Sequence, residues 1–463
     1  MSINHVTEGN VLAALSKIED PDLHRDIVSL GFIRNLEIDG SVVTFDFNLT
    51  TPACPVKDSL RDQAKGVVES LPGVDEANVN MTAEVRQHAA PDKSAIAGIR
   101  NIVAVGSGKG GVGKSTVAMN LAAALSVAGA RVGLMDGDIY GPSVPIMMGM
   151  RNRELETNDG RLIPHRAHGV SFISMGYMVP EDRPLVWRGP MAHKALQQCL
   201  LGTEWGELDY LLIDLPPGTG DVHITLVQTV PLTGAVLVST PQDVGLTISL
   251  KTLRMFEQTK VHPLGIVENM SYYVCSHCSE REDIFGHGQV RQKSEELGIP
   301  FLGEIPLDQR IRVQADLGVP IVIAEPQAPS AQAYRRIAEL LAAQVSIQNY
   351  GTVEERSMVP REIRQTNETE LAITWGDGHA STYPLRYLRQ QCPCAACVDE
   401  WTRESRLDAA AVPPDIQILN ITPVGNYAVR FDWSDGHNTG IYLFDRLRDL
   451  CRCTLCISQT GQQ

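Results

Sequence analysis

Hydrophobic positions change their period several times along the chain. EGNVLAALSKI (8–18) spaces its apolar residues as a helix does. FIRNLEI and SVVTFDFNL alternate apolar and polar residues on either side of Asp39-Gly40, which predicts a β-hairpin. VKDSLRDQAKGVVESL returns to helical spacing and ANVNMTAEV to a strand. Together they predict a small α+β domain over residues 1–85. RQHAAPDKSAIAG (86–98) is polar and small and reads as a link. From Asn101 the apolar runs become short and unbroken: NIVAVGSG, RVGLMDGD, YLLIDLPP, GAVLVSTP and HPLGIVENM. Helical stretches separate them, the first being KSTVAMNLAAALSVAGA, ended by Gly129. Unbroken apolar strands alternating with helices predict an α/β domain over 98–348, with a mostly parallel sheet covered on both faces. The polar NYGTVEERSMVPREIRQTNETE reads as a second link before a β-rich unit at 365–463.

That last unit repeats itself. WGDGH (375–379) precedes Leu388-Arg389 and CPCAAC; WSDGH (433–437) precedes Leu447-Arg448 and CRCTLC. A half of this size cannot bury its own apolar face, so the two halves are expected to pack together.

Charge and cysteine usage narrow the function classes. A formal net charge of −15 argues against partners such as nucleic acid or an anionic membrane. Eight of the ten cysteines fall in three tight groups, Cys275/Cys278, Cys392/Cys394/Cys397 and Cys451/Cys453/Cys456, while Cys54 and Cys199 stand alone. Such spacing, with no basic and apolar leader at the start, predicts metal or cluster ligation in a reducing compartment. That compartment is the cytoplasm, or the plastid stroma for a mature organellar chain. No apolar run approaches the ~20 residues needed to span a bilayer.

GKGGVGKS (108–115) matches the phosphate-binding pattern G-x-x-x-x-G-K-[ST] and lies between a predicted strand and a predicted helix. Candidate nucleotide ligands are therefore Gly108, Lys109, Gly110, Gly111, Val112, Gly113, Lys114, Ser115 and Thr116. Glycines let backbone N–H groups approach phosphate oxygens, and the helix N-terminus adds a favourable dipole. Lys114 is expected at the β- and γ-phosphates of ATP, and Ser115 on Mg²⁺. Asp214 ends the apolar strand YLLID, where a carboxylate holds Mg²⁺ or its water. Asp138 follows another strand and is the candidate for orienting the attacking water.

GKGGVGKST, DGDIYGPS, DLPPGTGD and ENMSYYVCSHC together resemble the Mrp/ApbC branch of the MinD/ParA-like P-loop ATPases, over residues 98–348. The resemblance implies a homodimer in which Lys109 reaches the partner's nucleotide, as an arginine finger does, and an Asn269 that hydrogen-bonds adenine. Cys275 and Cys278 have three readings. A redox dithiol would sit in a thioredoxin-like unit, and a zinc ribbon needs a second pair about 15–20 residues on; neither context is present. A [4Fe–4S] cluster usually takes four thiolates, which two chains would supply. The resemblance implies the same bridging cluster, passed from an upstream Fe–S scaffold to apoproteins with slow ATP hydrolysis. The alternative is a MinD/ParA-like positioning ATPase without a cluster.

DPDLHRDIVSLGFI and LTTPACPVKDSL resemble a small domain of Fe–S assembly factors. Cys54 stands there at an expected helix start, where a thiolate is stabilised, and is a candidate transient cluster ligand. The C-terminal unit resembles a domain that precedes γ-butyrobetaine hydroxylase-like oxygenases. That resemblance implies Zn²⁺ on Cys392, Cys394, Cys397 and His437. The repeat suggests the reciprocal set, Cys451, Cys453, Cys456 and His379, holding an ion, a cluster or nothing. All three parts in this order resemble the high-chlorophyll-fluorescence-type Fe–S carriers of plastids and cyanobacteria.

Overall fold

The apolar runs after Asn101 form the middle of an eight-stranded sheet in a computed structural model that describes residues 6–88, 96–138, 141–151, 153–178, 189–218, 226, 229–242, 251–256, 258–259, 261–275, 277–278, 280–357, 360–376, 378–394, 397–398, 406–424, 428–453 and 456. The strands lie in the order His165–Ala167, Val170–Ser174, Val132–Asp136, Leu208–Asp214, Ile99–Ser107, Gly234–Ser239, Pro263–Asn269, Phe301–Ile305. Only the first pair is antiparallel. Successive residues of a strand point to opposite faces. Val103 and Val105 therefore enter one core with Leu134 and Leu212, under Leu121 and Leu125 of the helix Lys114–Val127. Ile102 and Ala104 enter the other core with Met135, Leu211 and Ile213, under Leu196 and Leu200 of the helix Gly189–Leu201. Neither face of the strand meets water, which is why the sequence shows no polar alternation. From Ile99–Ser107 the chain winds out to one side of the sheet, returns through Leu208–Asp214, and continues on the other side. That reversal opens a crevice at the carboxyl ends of the strands.

The N-terminal segment folds as expected. The hairpin strands Ile33–Asp39 and Val42–Leu49 are antiparallel, and the helix Lys57–Glu69 crosses over to the parallel strand Glu76–Ala83. Gly40, at φ +61°, makes the hairpin turn. This segment and the large sheet belong to one compact unit, residues 1–349. The Tyr210 hydroxyl donates to Thr51 Oγ1 at 3.0 Å, and Ala53 is buried in the core cluster of Val103 and Val105. Part of the expected link, residues 89–95, lies outside the described residues. Its start is anchored: Asn101 Nδ2 donates to the carbonyl of Arg86 at 3.0 Å, and His88 N to that of Arg100 at 2.8 Å.

The polar stretch after residue 348 is not a loop. The helix Pro329–Ser357 runs through its first part and the strand Pro360–Asn367 occupies most of the rest. Glu354, Glu355 and Arg356 are good helix formers without being apolar, and Pro360 cannot extend the helix. The strand is polar because it is an edge strand, paired only with Glu370–Trp375. The second compact unit, residues 350–463, contains two three-stranded antiparallel sheets, Pro360–Asn367/Glu370–Trp375/Ala380–Pro384 and Ile418–Val424/Ala428–Trp433/Ile441–Leu443. Each is followed by a short helix, Leu385–Gln390 or Phe444–Asp449. Trp375, Tyr383 and Leu388 share one core with Trp433, Tyr442 and Leu447, so the repeated halves do pack together. Their tyrosines cross over: Tyr383 donates to the carbonyl of Leu447 at 2.5 Å and Tyr442 to that of Leu388 at 3.1 Å. Among the described residues no helix is long and apolar enough to cross a membrane.

Candidate functional site

The strand Ile99–Ser107 delivers Gly108–Gly113 to the crevice, and the helix starting at Lys114 leaves it. Gly113 caps that helix at φ +82°, and a Cβ on it would overlap Asn269 Nδ2. No side chain caps the helix, so its first N–H groups are available to phosphate oxygens. Asn269, nearly buried at the end of Pro263–Asn269, donates through Nδ2 to the carbonyl of Val112 at 2.8 Å. The amide expected at adenine is thus engaged with the phosphate loop itself.

Two carboxylates close the floor. Asp136 and Asp214 end neighbouring parallel strands in register, and both are fully buried. Lys114 Nζ donates to Asp214 Oδ1 and lies 3.3 Å from Ser115 Oγ. Asp214 Oδ2 has no hydrogen-bond partner among the described residues. Burial raises the Asp214 pKa, against the opposing pull of Lys114. Asp136 accepts from Ser174 Oγ at 2.8 Å and from the N–H groups of Asp138 and Val144. Burial first, then the Asp214 charge, raises its pKa to about 7. Two buried carboxylates side by side, of which Asp214 keeps an unpartnered Oδ2, and the nearby Ser115 hydroxyl make an oxygen donor set that fits Mg²⁺. Asp138 is half-buried above them, and its carboxylate accepts from Gly141 N at 3.2 Å. Sequence reasoning missed Asp136, although LMD ends its strand as LID ends that of Asp214. Thr116 Oγ1 faces Met147 Sδ at 3.7 Å. The Lys109 carbonyl accepts from Ser107 Oγ at 3.0 Å; its half-exposed ammonium has no partner among the described residues.

Six residues beyond Asn269 comes the thiol pair. Tyr273–Val274 and Arg281–Glu282 form a two-stranded hairpin with Cys275 and Cys278 at its tip. Cys275 N donates to the Glu280 carbonyl at 2.9 Å, closing the tip. Cys275 is half-buried and Cys278 exposed. The N–H groups of Cys278 and His277 point at the Cys275 sulfur and lower its pKa. The hairpin is braced by Arg281, which stacks over Tyr272 at 3.9 Å and pairs with Glu304 at 3.0 Å. His287 faces Arg281 at 2.9 Å rather than a thiol.

In the second unit each cysteine trio meets a histidine from the other half. His437 Nε2 lies 3.2, 3.5 and 3.8 Å from Cys392, Cys394 and Cys397. His379 Nε2 lies 3.3, 3.7 and 3.6 Å from Cys451, Cys453 and Cys456. In each set all four ligand atoms fall within 4.8 Å of one another. Arg389 braces the first set, bonding Cys397 Sγ at 3.5 Å and Asp435 at 2.9 Å. A cluster of soft thiolates with one imidazole fits Zn²⁺.

Cys54 departs from expectation. The helix begins three residues later, at Lys57, and only Val56 N–H supports a thiolate. Burial outweighs that and pushes the thiol up to about 11. Cys199 packs against Met175 and Met178 in the core, with its thiol pushed up to about 12 by burial.

A family model described as the NUBPL iron-transfer P-loop NTPase matches residues 98–342. A model for the N-terminal part of γ-butyrobetaine hydroxylase-like proteins matches 363–448, and one for an iron–sulfur cluster assembly protein matches 8–81. The chain is 49% identical over 347 residues to an iron–sulfur cluster carrier protein of Deinococcus radiodurans, covering 75% of this chain and 98% of that protein. It is 39% identical over 464 residues to the chloroplastic Fe–S cluster assembly factor HCF101 of Oryza sativa subsp. japonica, covering 96% of this chain and 84% of that protein. Among solved structures it resembles an ADP-bound nucleotide-binding protein from Archaeoglobus fulgidus, at 38% identity and a TM-score of 0.45, over 50% of this chain and 91% of that one. With more than half its length matched by the P-loop model, and nearly all of it by the rice protein, this chain belongs to the NUBPL-type iron-transfer P-loop NTPases.

Proposed function

We propose that the chain is an ATP-dependent carrier that holds a [4Fe–4S] cluster between two copies of itself and hands it to apoproteins. The observation that carries this reading is the continuity of one strand. Pro263–Asn269 ends on the amide that bonds the phosphate loop, and six residues on the same chain presents a thiol pair at a hairpin tip, Cys275 half-buried and Cys278 exposed. Nucleotide state and thiol geometry are thereby coupled through a short, braced segment. Two thiols per chain are half the usual complement for a four-iron cluster, so a two-fold pair completes it. An exposed tip suits both loading from an upstream scaffold and transfer to a client.

Ser115 and Asp214 would hold Mg²⁺, which would supply charge neutralisation at the phosphates. Lys114 binds the β- and γ-phosphate oxygens, turning from Asp214 to do so. Asp138 orients the attacking water, and Lys109 of the second copy supplies the further cation at the γ-phosphate. A site with this many paired groups to rearrange hydrolyses ATP slowly and serves as a switch. Cys392, Cys394, Cys397 and His437 hold Zn²⁺ as a closed structural site.

Anaerobic reconstitution tests the reading. The loaded protein is expected to be brown, to run as a dimer, and to hold one four-iron cluster per two chains. Cys275→Ala with Cys278→Ala is expected to abolish both the colour and the maturation of a [4Fe–4S] apoprotein, leaving ATP binding intact. A colourless wild type points to a positioning ATPase, and a cluster on a monomer overturns the bridging arrangement.

A further inference from the structure

The Cys392 set is not alone. We propose that His379, Cys451, Cys453 and Cys456 bind a second Zn²⁺, so that the C-terminal unit closes around two crossed ions, one per half. The inference is independent of the nucleotide and cargo chemistry above.

The geometry fits a single small ion. A tetrahedral Zn²⁺ with Zn–S about 2.3 Å and Zn–N about 2.0 Å sets nitrogen and sulfur about 3.5 Å apart. The three distances from His379 Nε2 are 3.3, 3.7 and 3.6 Å, scattered around that value as those of His437 are. All four ligand atoms lie within 4.8 Å of one another. A four-iron cube has a separate iron behind each ligand and holds its ligands farther apart. Three thiolates and an imidazole are the donor set of closed zinc sites, whereas hard cations prefer oxygen.

The surrounding frame is duplicated as well. Trp375 N donates to the His379 carbonyl at 2.8 Å, and Trp433 N to the His437 carbonyl at 2.9 Å, so the same turn presents each imidazole. Each trio begins just after a short helix, Leu385–Gln390 or Phe444–Asp449. The crossed Tyr383 and Tyr442 bonds hold each half's helix to the other half's sheet. Since each ion takes sulfur from one half and nitrogen from the other, both ions fasten the same seam.

The two sets differ at one small residue. Gly440 leaves room for Cys392, since a Cβ there would lie 2.6 Å from Cys392 Sγ. Two positions before the other crossing tyrosine stands Ser381, whose hydroxyl accepts from Trp375 Nε1 at 2.7 Å. The Trp433 indole N–H has no partner among the described residues. The half that supplies His379 thus bonds its buried indole, where the half that supplies His437 leaves that of Trp433 unbonded among the described residues, which argues against the second set being a decayed copy of the first.

The test is metal counting on the full-length chain carrying Cys275→Ala and Cys278→Ala, so that no bridging cluster contributes. Native mass spectrometry and elemental analysis are expected to give two zinc ions per chain. Cys453→Ser is expected to leave one, Cys394→Ser one, and the two together none. Zinc X-ray absorption on the two-ion protein is expected to give a mean shell of three sulfurs and one nitrogen. One zinc per chain, unchanged by Cys453→Ser, overturns the proposal. So does iron that persists in this background and disappears with Cys453→Ser. The stoichiometry is read before any ligand of the set is altered, so a misfolded variant cannot obscure it.

Discussion

A carboxylate buried beside another carboxylate is the most consequential single-residue feature of the nucleotide site. Asp136 is fully buried, and its pKa is raised to about 7 by burial and by Asp214. The folded chain therefore holds this proton more tightly than the unfolded chain does. The stabilisation is fully present below about pH 4 and is lost as pH rises through about 7, a loss on the order of 4 kcal/mol. The nucleotide-free protein is expected to melt at progressively lower temperature from pH 5 to pH 8, and Asp136→Asn to flatten that decline. Mg²⁺ with ATP is expected to flatten it in the wild type, because the ion compensates the ionised pair. Parallel melting curves for wild type and Asp136→Asn would rule this out. The residue was hard to find in the sequence because an aspartate after an apolar strand looks like any turn former. Its partner Asp214 was legible from the same pattern, and what distinguishes the two from caps is their register side by side, which only the folded sheet supplies. The thiolate stabilisation expected at Cys54 is outweighed for a related reason. The burial that governs its thiol comes from the folded unit and outweighs the local helix start.

At the level of elements, the segment between the phosphate loop and the thiol hairpin holds a strained residue. Met270 has φ +57°, a left-handed conformation that costs a non-glycine residue roughly 1–2 kcal/mol. It lies between Asn269, bonded to Val112, and Ser271, whose N–H donates to the Ile305 carbonyl at 2.9 Å. The turn is thus fixed on both sides, and the strain is retained because its neighbours determine it. If this segment transmits nucleotide state, loosening it should leave the cluster bound but insensitive to ATP. Asn269→Ala combined with Met270→Gly is expected to keep the Fe–S absorbance, while cluster transfer proceeds at the same rate with ATP as without. A retained several-fold ATP effect would show that coupling runs elsewhere. Glycine spacing and paired cysteines made both ends of this segment legible in the sequence, because phosphate cradling and sulfur ligation each demand fixed local spacing. The bond that joins them spans 157 positions, from Asn269 to Val112, and local patterns do not encode a contact of that range. The reciprocal His–Cys sets show the converse case. They are long-range too, yet readable: the resemblance implied the set with His437, and the repeat then pointed to the set with His379, because duplicated halves that share one core bring matching positions together.

For the whole molecule the question is whether the working unit is one chain or two. Lys114 is tied to Asp214 within its own chain, whereas the ammonium of Lys109 has no partner among the described residues of that chain. A cation that serves a second copy has no need of a partner in the first. Complementation separates the two arrangements. Lys109→Ala and Lys114→Ala are each expected to reduce ATP hydrolysis by about 100-fold or more. When the two variants are mixed, half the dimers are mixed pairs. In these pairs the Lys109→Ala chain keeps its own Lys114 and borrows Lys109 from its neighbour. One complete site per mixed pair gives about a quarter of the wild-type rate, given closed two-fold pairing. If Lys109 instead acts within its own chain, neither variant holds a complete site in any combination, and mixing restores nothing. Run with cluster-loaded protein, the same mixture also reports on the thiols, because both variants keep Cys275 and Cys278. Hydrolysis that recovers while the iron per chain stays constant would place the shared cluster and the shared nucleotide site on one two-fold interface.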